Sequence, residues 1–295
     1  MSGQLKEVRN RIKSIQSTQQ ITKAMKMVSA AKLRRAQDAI LQMRPYAEKL
    51  QEMLQNIVSN TEGDIDMALA ANRQVEKVLI VVITSDRGLC GAYNSNIIKL
   101  AKQTIREKYA AQYAKGHVEV LPIGKKAWEH FTKNGYKVNE RFWNLFGHLS
   151  FEQVKAAAAV GLEGFVKGEY DAVEIVYSEF KNAATQRYKV EQFLPIAKVD
   201  NQGEGKGRKA DFIYEPEKDA LIAELMPKIL NTQFFKAVLD AHASEHGARM
   251  TAMDKATDNA GELLRSLKIE YNRARQAAIT TELTEIVSGA AALVG

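Results

Sequence analysis

The sequence has few of the residues that interrupt helices or join segments covalently. Its 295 residues include five prolines and a single cysteine, Cys90. One cysteine excludes an intramolecular disulfide framework and is typical of a reducing compartment. Sparse prolines permit long helices at both ends of the chain.

Long apolar runs are also lacking. No stretch reaches the roughly 18 apolar residues that a membrane-spanning helix needs, and residues 1–20 have no apolar core of the signal-peptide kind. We therefore expect any membrane association of this chain to occur through partners.

Positive charge is concentrated at one end. Residues 1–49 contain eleven lysines and arginines against three acidic residues, whereas residues 217–295 contain nine against eleven. This asymmetry favours an acidic partner for the first segment over an incidentally basic, solvated helix face. A basic coiled coil that binds nucleic acid is the alternative, although aromatic residues for base stacking are nearly absent from residues 1–45.

The first segment, residues 1–58, reads as one long helix. Four apolar residues recur at the spacing of a coiled-coil seam: Leu5, Val8, Ile12 and Ile15. A strict heptad would continue with Gln19 and Thr22, but the apolar residues continue as Ile21, Met25 and Val28. We therefore expect the register to slip at this point.

The last segment, residues 217–295, mirrors the first. It has no proline between Asn231 and Ser288, and five residues near its end recur at heptad spacing: Ile279, Leu283, Ile286, Ala290 and Leu293. Neither terminal helix buries its apolar stripe alone, and their charges are complementary. The sequence therefore predicts that the two pair as an antiparallel coiled coil.

The middle of the chain, residues 75–200, has a different pattern. Lys77–Thr84 is a β-branched apolar run typical of a strand buried on both faces. Further strands are predicted at His117–Ile123, Ala172–Phe180 and Arg187–Pro195, and Ser150 begins a capping box for the helix that follows. The predicted fold class is α/β, a central Rossmann-like domain combined with the long antiparallel coiled coil.

Two patterns resemble nucleotide or nucleophile sites but are incomplete. The turn Ser85–Asn94 follows a strand, yet it contains only Gly88 and Gly91 of a GxGxxG fingerprint. Cys90 lies in this turn with no adjacent histidine, so a buried structural cysteine is the favoured interpretation.

A third pattern, His242-Ala-Ser-Glu245-His246, fits the HxxEH arrangement of some zinc peptidases. No third ligand is evident, so we interpret these residues as solvent-facing histidines on an exposed rod. The sequence accordingly predicts no catalytic, cofactor-binding or metal-binding residue.

Three segments together resemble one family, the gamma subunits of F-type ATP synthases. They are ITKAMKMVSAAKLRRAQ (Ile21–Gln37), SDRGLCGAYN (Ser85–Asn94) and YNRARQAAITTELTEIVSGAA (Tyr271–Ala291). The resemblance spans the chain and implies a bacterial-type central rotor shaft that is not itself catalytic. It also implies a peripheral location on the cytoplasmic face of the inner membrane. The implied partners are the alpha and beta subunits of a hexamer, the epsilon subunit and the c-ring, with proton flow coupled to ATP synthesis or hydrolysis.

The resemblance also implies roles for particular positions. Arg275 and Gln276 match the polar catch that engages a beta-subunit loop, and Met25 and Lys26 lie where the shaft passes the beta-subunit levers. The uncharged tail, which includes Ile286, Val287 and Leu293, matches the tip held in an apolar bearing. Tyr214 and Glu215 match the part of the foot near the c-ring.

Overall fold

The computed structural model describes residues 2–59, 69, 73–183, 185–196 and 218–294. They form six α-helices, a short 3-10 helix and five strands: α1 (Ser2–Ser59), β1 (Val78–Ile83), α2 (Tyr93–Glu107), α3 (Ala110–Ala114), β2 (Val118–Ile123), α4 (Lys125–Lys133), β3 (Lys137–Val138), the 3-10 helix (Leu145–His148), α5 (Phe151–Val166), β4 (Ala172–Phe180), β5 (Gln186–Leu194) and α6 (Lys218–Val294).

The chain divides into two compact units, each of which contains part of α1 and part of α6. The helical unit comprises Met1–Ser29 and Arg249–Gly295, and the sheet unit comprises Ala30–Ala248. Among the described residues, none of the helices combines the length and the apolar character that crossing a bilayer requires.

The sheet unit is built on a five-stranded sheet of order β3-β2-β1-β4-β5. Strands β3, β2, β1 and β4 are parallel, and β5 pairs antiparallel with β4, the strand that precedes it in the chain. The central strand β1 is buried at every position because both of its faces are covered. Its odd-numbered residues from Leu79 pack with α5 and part of α6, and its even-numbered residues from Val78 pack with α2 and α4.

Within the sheet unit, the stretch of α6 from Met226 to Ala248 is mostly buried against this sheet. The ring of Phe234 lies 5.5 Å from that of Phe193 on β5. The Tyr93 hydroxyl donates to the Ala241 carbonyl at 2.9 Å. Gly247 lies where an added Cβ would be only 3.2 Å from the backbone of Ala183, so a larger residue would push this helix away.

The prediction that the HxxEH residues face solvent on an exposed rod is therefore wrong. His246 and Glu245 are buried and His242 is half-buried, because this part of α6 packs on the sheet rather than lying in solvent. The ring of His242 stacks on Phe146 at 5.5 Å.

The helical unit is an antiparallel helix pair. Lys26 pairs with Asp254, whereas the earlier residue Gln19 pairs with the later residue Thr257. On α6 an unbroken heptad of buried and half-buried positions runs through Met253, Thr257, Ala260, Leu264, Leu267, Tyr271, Ala274 and Ala278. The predicted fold class, an antiparallel coiled coil of terminal helices plus a central α/β domain, is confirmed.

The register slip expected in α1 does not occur. Thr22 and Ser29 are only 9% and 2% exposed, whereas Ile21 and Val28 are 60% and 56% exposed. The strict heptad persists because the partner helix supplies polar groups to the seam, and Ile21 and Val28 are left outside it.

The prediction of a coiled-coil seam at the end of α6 is also wrong. Ile279, Leu283, Ile286 and Ala290 are exposed rather than paired. The antiparallel register explains this result. The pairs at Gln19 and Lys26 show that residues beyond Ala278 would need partners that precede the start of α1 at Ser2.

Candidate functional site

A polar layer interrupts the apolar seam of the helical unit; we use this name for Gln19, Thr22 and Lys26 of α1 with Asp254 and Thr257 of α6. Lys26 forms an ion pair with Asp254. Thr257 Oγ1 lies 2.8 Å from Thr22 Oγ1, and Gln19 Nε2 donates to the Thr257 carbonyl at 3.4 Å. Buried polar pairs in a coiled coil fix which residues face each other, because any shift leaves them unpaired.

Gly261 makes room for this layer. A Cβ at Gly261 would lie 3.1 Å from Gln19 Nε2, closer than most side chains tolerate. A glycine inside a helix costs about 1 kcal/mol relative to alanine. Here it lets the Gln19 side chain reach across the seam.

The predicted catch residues lie on the solvent side of α6. Arg275 and Gln276 are both exposed. The Gln276 carbonyl accepts a hydrogen bond from the Thr280 hydroxyl at 2.9 Å. No carboxylate of the described part of the chain forms an ion pair with Arg275, so its guanidinium is available to a partner.

The predicted lever-contact residues are each half-buried. Lys26 belongs to the polar layer, and the Met25 carbonyl accepts from the Ser29 hydroxyl at 2.7 Å. The large exposed apolar side chains of this segment are instead their neighbours Ile21, Met27 and Val28.

The predicted bearing tip lies beyond the seam of the helical unit. Ile286 and Val287 are 67% and 66% exposed. Leu293 belongs to α6, and its side chain lies outside the described part of the structure. Just before the tip, three threonine hydroxyls donate to carbonyls four residues earlier at 2.8–3.0 Å: Thr280, Thr281 and Thr284. The predicted foot residues, Tyr214 and Glu215, lie outside the described residues.

The Ser85–Asn94 turn is held by its own side chains. Asn94 Oδ1 accepts from the Ser85 backbone N–H at 3.0 Å, and Asn94 Nδ2 donates to Ser85 Oγ at 2.7 Å. Leu89 and Gly91 have positive φ angles of 64° and 60°, which a tight strand-to-helix turn requires. Cys90 is buried in this turn, and Asn94 Nδ2 lies 3.2 Å from its sulfur.

The HxxEH residues form a compact pair. The Nε2 atoms of His242 and His246 are 3.1 Å apart, so one ring donates to the other. Across the ranges that the structure describes, no group of three His, Cys, Asp or Glu side chains is arranged to hold a metal ion.

Similarity to known proteins identifies the class to which this chain belongs. The family model described as ATP synthase matches residues 4–293, nearly the whole chain. The chain is 53% identical over 290 residues to the ATP synthase gamma chain of Cytophaga hutchinsonii, and 98% of each chain is covered. It is 54% identical over 291 residues to the gamma chain of Flavobacterium johnsoniae, with 99% of each covered. The chain therefore belongs to the gamma-chain family of ATP synthases.

Solved structures give the same fold. A chain of the Euglena gracilis mitochondrial ATP synthase superposes with a TM-score of 0.67 at 24% identity, covering 99% of this chain and 95% of that one. A chain from the Tetrahymena thermophila mitochondrial ATP synthase, described as central stalk and c-ring, gives 0.58 at 25% identity, covering 80% and 99%. The predicted role as a rotor subunit of an ATP synthase is thus confirmed, and the nucleic-acid alternative is not supported.

Sequence reasoning missed the α6 side of the polar layer. Asp254 and Thr257 were not singled out, although a strict heptad continued from Ile15 already places Gln19 and Thr22 in the seam. That continuation was the available signal. The nearby Ile21 and Val28 mask this signal in the sequence because they are more hydrophobic than the seam residues.

Proposed function

We propose that this chain is the non-catalytic central shaft of an F-type ATP synthase, turning within an alpha/beta hexamer and connected to the epsilon subunit and the c-ring. Proton flow would turn the shaft, whose asymmetric surface would bring three equivalent catalytic sites into different states. The shaft would associate peripherally with the cytoplasmic face of a bacterial inner membrane. The proposed parts are an N-terminal coiled-coil helix (1–58), a central α/β domain (75–200) and a C-terminal coiled-coil helix (217–295) that pairs with the first.

The observation that carries this proposal is the single-helix end of α6. Beyond Ala278, the described part of α6 leaves Ile279, Leu283, Ile286 and Val287 exposed. A cluster of exposed apolar side chains on one helix marks an interaction surface. A surrounding apolar collar would cover it, which supports the bearing role of Ile286, Val287 and Leu293.

The remaining site roles are proposals of the same kind. The exposed Arg275 and Gln276 would form directional bonds to a beta-subunit loop. The segment at Met25 and Lys26 would pass the beta-subunit levers, and its exposed neighbours Ile21 and Val28 would add apolar contact there. Tyr214 and Glu215 would lie near the c-ring.

The experiment that tests the catch is reconstitution with alpha and beta subunits from the same source. We expect the double variant Arg275→Ala/Gln276→Ala to lower torque or coupled proton pumping, because two charged or polar contacts to the hexamer are lost. A matched control exists two to four residues away. Asn272→Ala/Arg273→Ala removes the same pair of side-chain types from exposed positions on the same helix.

Rotation of a probe and ATP hydrolysis would be recorded together. Normal coupling in the Arg275/Gln276 variant, or an equal loss of coupling in the Asn272/Arg273 control, would show that Arg275 and Gln276 do not act as a catch. Failure to assemble with competent subunits would contradict the shaft proposal itself.

A further inference from the structure

A basic groove runs along the outer side of the sheet unit. Helices α2 and α4 both pack on the face of the sheet formed by the even-numbered residues of β1. Between their outer sides lies a groove of about 770 Å³. Five cationic side chains line it: Lys99, Lys102, Arg106, Lys126 and Lys133.

Most of this charge is not neutralised within the chain. Glu129 lies 2.6 Å from Lys126, and Glu107 accepts hydrogen bonds from Gln103 at 3.0 and 3.1 Å. Within the described ranges, no ion pair is formed by the other four cations of the groove: Lys99, Lys102, Arg106 and Lys133. Like charges at spacings of three and four residues repel one another on a helix, so a bound anion would relieve that repulsion.

His130 reports the same local field. It lies in the groove, and its Nε2 atom is buried without a hydrogen-bond partner among the described residues. Burial, and then the charge of Lys102, lower the pKa of His130 below its usual value. Burial and the charge of Lys102 therefore both disfavour a positive charge on this imidazole.

The arrangement of the cations selects among anions. Lys99 to Arg106 and Lys126 to Lys133 each span seven residues, about 10 Å along a helix. Two rows of this length suit an extended chain of carboxylates better than one compact phosphate group.

The backbone around the groove also argues against phosphate. Phosphate sites commonly use free N–H groups at the start of a helix. In the first turn of α4 these groups are already bonded: Lys125 N–H to Asp86 Oδ1 at 3.1 Å, Lys126 N–H to the Ser85 carbonyl at 3.1 Å and Ala127 N–H to Thr84 Oγ1 at 2.9 Å.

We propose that the α2–α4 groove binds an acidic polypeptide segment of a partner protein, whose aspartate and glutamate side chains pair with the two cation rows. Ile98 offers apolar contact within the groove. This binding surface is independent of the proposed catch and bearing.

The test measures binding of a fluorescent peptide of alternating glutamate and glycine to the full chain by anisotropy, at low and at physiological salt. The groove variant is Lys99→Gln/Lys102→Gln/Arg106→Gln. The control is Lys255→Gln/Arg265→Gln/Lys268→Gln, which removes the same residue types from exposed positions of α6, outside the basic N-terminal segment. Circular dichroism would verify that both variants fold.

We expect the groove variant to weaken peptide binding about tenfold and the control variant to change it less than about twofold, because only local charges contribute at physiological salt. No binding by the unmodified chain, or equal weakening by both variants, would overturn the proposal. So would groove-dependent binding to phosphatidylcholine vesicles that contain phosphatidylglycerol, or to inorganic tripolyphosphate, in the absence of peptide binding.

Discussion

The two ends of α6 have the same secondary structure and opposite surroundings. Between Met226 and Ala248, in the sheet unit, most side chains are buried. From Ile279 to Ala292, in the helical unit, nearly all described side chains are exposed. Both stretches are rich in apolar residues, so hydrophobicity does not separate them. The difference lies in whether the chain itself provides a surface to pack against.

This comparison separates two uses of an apolar helix. In the sheet unit, contacts such as Phe234 with Phe193 contribute to the stability of the folded chain. At the end of α6, exposed side chains such as Leu283 contribute little to it, and their value depends on a partner. Substitutions in the two stretches should therefore affect different measurements.

The largest expected effect is on the buried stretch. Phe234→Ala should lower the free energy of unfolding by about 3–5 kcal/mol, because it leaves a cavity at a side chain that is 1% exposed. Leu283→Ala, at an exposed position of the same helix, should change it by less than about 0.5 kcal/mol. Urea unfolding of the full chain compares the two. Similar losses would show that the end of α6 is also buried in solution.

A smaller effect is expected at the hydrogen bonds that join the buried stretch to β5. Glu191 accepts from Gln233 at 2.6 Å and from the Tyr177 hydroxyl at 2.7 Å, and it lies 2.8 Å from Lys189. Burial alone would raise the pKa of the Glu191 carboxyl, but hydrogen bonds from Lys189, Tyr177 and Gln233 hold its pKa below the usual value. The stability it contributes is therefore present above the unfolded-state pKa and is lost as the pH falls through the folded-state pKa.

Glu191→Gln should accordingly cost about 1–3 kcal/mol at neutral pH. The difference in the free energy of unfolding between the variant and the unmodified chain should shrink as the pH falls below about 4.3, the ordinary pKa of glutamate. Unfolding curves over this pH range measure it, with the exposed pair partner Glu163→Gln as control. A gap that stays constant with pH would mean that the Glu191 charge contributes nothing.

The smallest effect concerns the polar layer. Thr22→Val and Thr257→Val, singly and together, form a double-mutant cycle whose coupling energy should be about 1 kcal/mol, since the two hydroxyls are 2.8 Å apart. Crosslinking between cysteines introduced at Gln16 and Glu262 would report whether the register shifts when both hydroxyls are absent. Zero coupling and unchanged crosslinking would show that the layer does not fix the register.

The elements themselves were predictable because their patterns are local. The run Val78–Ile83 can be buried on both faces only in a covered parallel sheet, and Ser150 does cap α5 by accepting from the Gln153 N–H at 3.3 Å. Pairing between distant segments was less accessible. The heptad of α1 places Thr22 in the seam, but the preference for this position over the more hydrophobic Ile21 depends on Thr257 of α6, whose hydroxyl pairs with that of Thr22.

Dependence on pairing between distant segments also explains which predictions about the candidate site were wrong. The heptad seam expected from Ile279 to Leu293 depends on where the opposite helix begins, which is a property of the register and not of the tail. The burial of His246 likewise depends on the sheet face against which α6 lies. The exposure of positions such as Arg275 is easier to predict from the sequence, because a solvent-facing side chain needs no partner within the chain.

The three threonines ahead of the tip give its surface a particular character. The hydroxyl protons of Thr280, Thr281 and Thr284 are directed to carbonyls of their own helix. A neighbour that approaches these residues therefore encounters methyl groups rather than hydrogen-bond donors. Contact with these methyl groups has little directional preference, unlike contact with the charged side chains of Glu282 and Glu285 beside them. Under the proposed bearing role, the threonines would therefore add contact that favours no single angle of rotation.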